Sequence, residues 1–313
     1  MKQLIKHISY IFLILFIIVS GLVFAIAQKD IPREKLKAKY TNSASQFMPL
    51  MDMQVHFRDE GSHTDSLPIL LIHGTSSSLN TWDSLVSLLP KNKRIIRLDM
   101  PAFGLTGPNK ENKYSYPFYS QFLNAFLNKL QVKHCIIAGN SLGGGIAWHF
   151  ALDYPNKVHQ LILIDASGYP KKNEQGSLGF KIAKIPILNN LLLFITPRIL
   201  VKKSLETVFF DQSLVTENRI TTYHELLLVE GNRKAALSIF KYGFQQETSR
   251  IKEIQQPTLI IFGEKDQLIS SENAYLFEKD IKGSKAVLIK NVGHIPMEEA
   301  PLATAKIIND FIK

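Results

Sequence analysis

The chain is 313 residues long, 45% hydrophobic and 20% charged, with a formal net charge of +10. That is a globular composition, enough for one large domain or two small ones, and it excludes a disordered or collagen-like chain. The charge is uneven: residues 1–40 hold seven Lys/Arg against two Asp/Glu, residues 167–256 thirteen against eight, and the remainder seventeen of each. No basic recognition module accompanies it, so no nucleic-acid partner is expected.

The first element is Ile8 to Ala27, "ISYIFLILFIIVSGLVFAIA", twenty positions without a charge. A helix of that length rises about 30 Å, the thickness of a bilayer's hydrocarbon core. Lys2 and Lys6 precede it, and Ala25 to Ala27 offers a small-residue cleavage site. The run outlasts a signal core of about 7–15 residues, which points to an uncleaved single-pass membrane anchor. Removal as a signal peptide, leaving a secreted or periplasmic protein, stays open. So does the side: Lys29, Arg33, Lys35, Lys37 and Lys39 would hold the following domain in the cytoplasm, whereas an export signal would carry it across. Residues 1–40 are thus expected to be an anchor and a basic linker.

From residue 47 onward short apolar runs alternate with helical patterns. Val55–Gly61 alternates like a half-exposed strand, and the runs at 68–74, 94–100, 134–140, 161–166, 258–263 and 286–291 read as strands buried on both faces. Helical patterns cover Trp82–Leu89, Tyr116–Leu130, Leu142–Leu152 and Pro301–Ile312. This alternation predicts an α/β fold with a mostly parallel central sheet and helices on both faces. One connection is far longer than a crossover, residues 167–256, and implies an inserted helical cap over the carboxyl edge of the sheet. The core is then 41–166 and 257–313. The cap's run at 178–201 is mostly apolar and cut by Pro186 and Pro197. A basic, apolar arm and cap together suit an anionic membrane surface. The single cysteine, Cys135, permits no intramolecular disulfide and sits in an apolar run as strand filler.

Chemistry concentrates at "IIAGNSLGGGIAWHF" (136–150), where Gly139-Asn140-Ser141-Leu142-Gly143 fits G-x-S-x-G between a strand and a helix. A strained turn there would present Ser141 as nucleophile, with Gly139, Asn140 and Gly143 forming the elbow. The plain alternative is a helix start capped by Ser141 or Asn140. A serine needs a base, and the base an orienting acid. Asp266, after the strand at 258–263, and His294, after the last strand, follow in the order Ser, Asp, His that such a fold requires. Asp165, ending "LILIDA", is a second candidate acid; Glu264 is assigned to solvent or to its loop. His73-Gly74 ends another strand, so the backbone N–H groups of Thr75 and Leu142 become the oxyanion donors. His73 is taken as structural, and "DMPAFGLTG" (99–107) as pocket wall. The nine histidines are dispersed, no metal-ligand spacing occurs, and neither metal nor cofactor is expected.

These residues resemble the α/β-hydrolase superfamily over about 47–313, through "HG" at 73–74, "DMPAFGLTG", "GNSLGGG", "LILIDASG", "LIIFGEKDQLI" and "VGHIPMEEAP". With its leader and cap the chain is similar to bacterial lipase/esterase-like members. The resemblance implies hydrolysis of carboxylic esters of apolar acyl chains near a membrane, with a small-molecule or lipid ester as partner. The GNS-x-GG form is also similar to hydrolases that cleave carbon–carbon bonds in ring-fission products. Those carry a glycine-rich oxyanion loop and a Trp after the histidine, where this chain has "HGTSSS" and Ile295. Dehalogenases and epoxide hydrolases have Asp where Ser141 stands, and cofactor-free haloperoxidase-type members share the triad. A silent scaffold used for binding is the non-enzyme alternative.

Overall fold

The apolar runs become one eight-stranded sheet. A computed structural model describes residues 3, 6–11, 13–14, 21, 27–170, 182, 185, 188–245 and 247–313. Strands β1 (Ser45–Leu50), β2 (Met53–Gly61), β3 (Ile69–Ile72), β4 (Arg94–Leu98), β5 (Cys135–Asn140), β6 (Val158–Ile164), β7 (Thr258–Gly263) and β8 (Lys285–Ile289) lie in the order β1-β2-β4-β3-β5-β6-β7-β8. β4 through β8 pair in parallel, while β2 is antiparallel to both β1 and β4. The strand order reverses at β3, between β4 and β5, and a crevice opens beyond the carboxyl ends at such a reversal. β3, β5 and β7 are buried at every position, as expected for parallel strands covered on both faces.

β1 was not anticipated from the sequence. It is an edge strand, which tolerates Pro49, and it turns into β2 through Met51 and Asp52 at φ 47° and 62°. That pair of left-handed residues matches the twist of a two-residue hairpin. The helix expected at Trp82–Leu89 shortens to a 3-10 turn at Leu79–Trp82 and one turn at Asp83–Val86.

Each face has its own core. Tyr119, Phe122 and Phe126 on the helix Tyr116–Lys129 pack with Trp148 and Phe150 of the helix Leu142–Asp153. Across the sheet, Trp82 and Leu85 meet Ala305 and Ile308 of the closing helix Pro301–Phe311. Full burial of such side chains is worth about 1.5–3 kcal/mol each. Cys135 is buried, and burial pushes its thiol up to about 12.

The connection between β6 and β7 carries helices at Arg198–Val208, Glu217–Leu227 and Asn232–Tyr242. Part of the apolar run at 178–201 lies outside the described residues, as does most of Ile8–Ala27. Among the described residues no helix is long and apolar enough to cross a membrane. The basic stretch from residue 28 to 40 is firmly seated. Its helix Arg33–Tyr40 buries Leu36 and Tyr40 against Leu105, Leu226 and Val229. Asp30 pairs with the buried Arg233 at 2.6 Å, and Lys39 and Tyr40 both bind Glu225. Residues 28–40 thereby strap the cap to the core.

Candidate active site

β5 ends at Asn140 and the next helix begins at Leu142, so Ser141 alone must reverse the chain. It does so at φ 55° and ψ −118°, a conformation a side chain adopts only under strain. A Cβ on Gly139 would strike the backbone of Gly143, and one on Gly143 the carbonyl of Ile72. The two glycines let β5, its helix and β3 close to this distance. Ser141 occupies the cap position of the helix, yet its side chain makes no capping bond; the plain helix-start alternative is therefore set aside. The half-buried hydroxyl stands at a helix amino end, where free N–H groups and the dipole favour negative charge. Among the described residues it has no hydrogen-bond partner.

Asp266 and His294 meet on the loops after β7 and β8. His294 Nδ1–H donates to Asp266 Oδ2 at 2.7 Å, with the imidazole nearly buried and the carboxylate wholly so. The tautomer follows from the partner, because an ionised carboxylate only accepts. Asp266 Oδ1 accepts from the N–H groups of Leu268 and Ile269 at 2.7 and 3.1 Å. The Ser141 turn and this pair are tied through Asn140, whose Nδ2 donates to the carbonyls of His294 at 3.0 Å and Ile164 at 3.2 Å. That role of Asn140 was not legible from the motif.

Gly74 lies against the turn: a Cβ there would come within 3.0 Å of Ser141 Cβ. The following N–H, of Thr75, and the N–H of Leu142 are unpaired among the described residues. His73 is fully buried, donates from Nδ1 to the carbonyl of Gly74 at 2.7 Å and accepts the Met100 N–H at Nε2. Desolvation lowers its pKa, so it stays a neutral spacer. Asp99 organises the 99–107 loop by accepting from Leu79, Leu105 and His56. Glu264 is exposed and, rather than serving only its own loop, accepts at 3.4 Å from the N–H of Asn291 on the loop after β8.

The cap grips the histidine loop through backbone. His294 N–H donates to the carbonyl of Val208 at 2.8 Å, at the end of a cap helix. Glu299 accepts from Gly293 N–H (2.7 Å), Phe210 N–H (3.3 Å) and Asp211 N–H (2.7 Å), binding the histidine loop and the cap with one carboxylate. Neighbouring Glu298 accepts from Thr81, Tyr223 and Arg219. Neither glutamate was singled out in the sequence. Asp165, the second candidate acid, lies beside the pair: one of its oxygens, one of Asp266's and a His294 ring nitrogen fall within 4.8 Å of each other. Such a trio has metal-ligand chemistry in principle; with Nδ1–H on Asp266, the lone pair left on the ring is that of Nε2.

Residues 68–181 match the family model described as alpha/beta hydrolase fold. The chain has the alpha/beta hydrolase fold. This α/β hydrolase is 28% identical over 259 residues to the uncharacterized hydrolase YugF of Bacillus subtilis (strain 168), covering 82% of this chain and 93% of that one. It is 29% identical over 274 residues to the Homo sapiens monoacylglycerol lipase ABHD6, covering 82% and 77%. Among solved structures, the meta-cleavage product hydrolase CumD of Pseudomonas fluorescens IP01 superposes with a TM-score of 0.71 at 22% identity, covering 85% of this chain and 97% of that one.

Proposed function

We propose that this hydrolase cleaves carboxylic esters through a Ser141–His294–Asp266 triad. His294 Nε2 takes the Ser141 proton as Oγ attacks the ester carbonyl. The N–H groups of Thr75 and Leu142 receive the oxyanion, His294 returns the proton to the leaving alcohol, and an acyl-Ser141 remains. Water, deprotonated by the same imidazole, releases the acid. Asp266 stays ionised throughout and holds the ring in the tautomer that presents Nε2. The observation that carries this reading is the buried 2.7 Å bond between His294 and Asp266, tied by Asn140 to an uncapped serine. Direct serine–imidazole bonds commonly tighten only with substrate bound.

Apolar acyl esters suit the cap, which exposes Leu191, Phe194, Ile199 and Phe210, and the monoacylglycerol lipase relative supports a lipid ester. We place the chain at a membrane through Ile8–Ala27; the residue that follows it, Gln28, donates its N–H to the carbonyl of Phe194. The test uses the full chain in detergent: a fluorophosphonate probe is expected to label Ser141, and aryl esters of rising acyl length to be turned over with a preference for the longer ones. Absence of labelling at Ser141 ends the proposal. The similarity to CumD keeps one second reading, carbon–carbon hydrolysis of a ring-fission dienoate, and turnover of such a substrate in preference to every ester would replace the first.

A further inference from the structure

Two buried carboxyl groups stand at the histidine end of the sheet, and the proposed chemistry uses one. Asp165 closes β6 and is completely buried. Its Oδ1 accepts the Gly263 N–H at 2.9 Å, while Oδ2, also buried, has no donor among the described residues. Asp266 spends one oxygen on two backbone N–H groups and the other on His294. The two side chains lie within 4.8 Å of each other by their oxygens. A second carboxylate anion here would be desolvated, half-bonded and beside a like charge, with no Lys or Arg ion pair among the described residues to offset it. A hydrogen on Asp165 removes the charge and gives the bare oxygen a partner.

We propose, building on the triad reading above, that Asp165 is a positioning residue: a neutral carboxyl that donates its hydrogen to Asp266 and thereby fixes the carboxylate that orients His294. Burial and then the Asp266 charge push the Asp165 carboxyl well above the usual carboxylate range, with Glu299 adding to the same direction. Asp266, His294 and Glu299 are the titratable groups that face it. The backbone at Asp165 has φ 43°, a region where asparagine is also at home. That makes Asp165→Asn the conservative variant, with an amide N–H for Asp266 and an oxygen for Gly263.

The experiment compares the full chain with D165N and D165A in detergent. Without its donor in D165A, Asp266 becomes a stronger partner for the imidazolium. The acid limb of kcat/KM is then expected to rise by about half a unit or more, with kcat falling about tenfold at little-changed KM. D165N restores the limb to within about 0.3 unit of the parent. A second readout is independent of the triad. The folded chain must retain a proton that the unfolded chain releases above its ordinary value of 3.8, so stability is full at acid pH and lost as pH rises. The Tm of D165N should therefore gain on the parent steadily between about pH 4 and 8. A D165N limb displaced downward by half a unit, which signals a lost anion, overturns the proposal. An unmoved limb in D165A, or a Tm difference flat with pH, does so too. Failure of Ser141 to label would sink the triad reading and leave the Tm comparison standing as the test of the Asp165 proton.

Discussion

The Ser141 turn and the histidine loop are built on opposite principles. Ser141 is placed by its own neighbours: a buried strand, two glycines that permit contact, and a helix that begins at the next residue. His294 is placed by strangers in sequence, with its N–H on Val208, its carbonyl on Asn140 and its ring on Asp266. Local geometry is rigid and indifferent to the rest of the chain. Long-range geometry depends on groups that the fold brings together from the cap, from β5 and from the loop after β7. The comparison teaches that the serine is the fixed point of the site and the imidazole the adjustable one.

The largest expected effect breaks the fixed side. Ser141→Ala should abolish fluorophosphonate labelling and lower kcat on esters by about a million-fold, and residual labelling elsewhere at equal rate would refute the assignment. On the adjustable side, Asp266→Asn should cost about 10⁴-fold in kcat through the wrong imidazole tautomer; a loss confined to KM would argue against it. Glu299→Gln leaves an amide facing three backbone donors, so about tenfold in kcat/KM with no change in labelled residue is expected. An effect no larger than that of a surface substitution would separate cap position from histidine position. The smallest effect concerns His149, sandwiched between Tyr116 and Trp148 at ring distances of 3.6 and 3.4 Å, away from both halves. Burial lowers its pKa from 6.5 to about 4. The unfolded chain binds that proton first, so this stability is present above about pH 6.5 and lost as pH falls toward 4. His149→Phe should flatten the Tm profile over that window while leaving the alkaline side unchanged; an identical acid slope in both proteins would discard the assignment.

The same contrast explains what the sequence made legible. Ser141, Asp266 and His294 each follow an apolar strand, so strand–loop order alone marked them, and the parallel sheet with its long insertion followed from the spacing of those strands. β1 escaped notice because Pro49 interrupts its pattern and the hairpin through Met51 and Asp52 carries neither the glycine nor the asparagine that usually marks such a turn. The strap escaped because Leu36 and Tyr40 are isolated in a basic stretch, and the residues that cover them, Leu105, Leu226 and Val229, lie far along the chain. Glu299 and the carboxamide of Asn140 look ordinary until the backbone groups they bind, from the cap and from the last loop, are brought to them.

The cap touches the histidine loop through the carbonyl of Val208 and the N–H groups of Phe210 and Asp211, atoms that every amino acid carries apart from the N–H that proline lacks. Mutation of the surrounding cap side chains can therefore reshape what the enzyme accepts without renegotiating how its imidazole is held. Divergence of substrate preference at a fixed reaction needs just such a joint, and in this chain it is written in main chain.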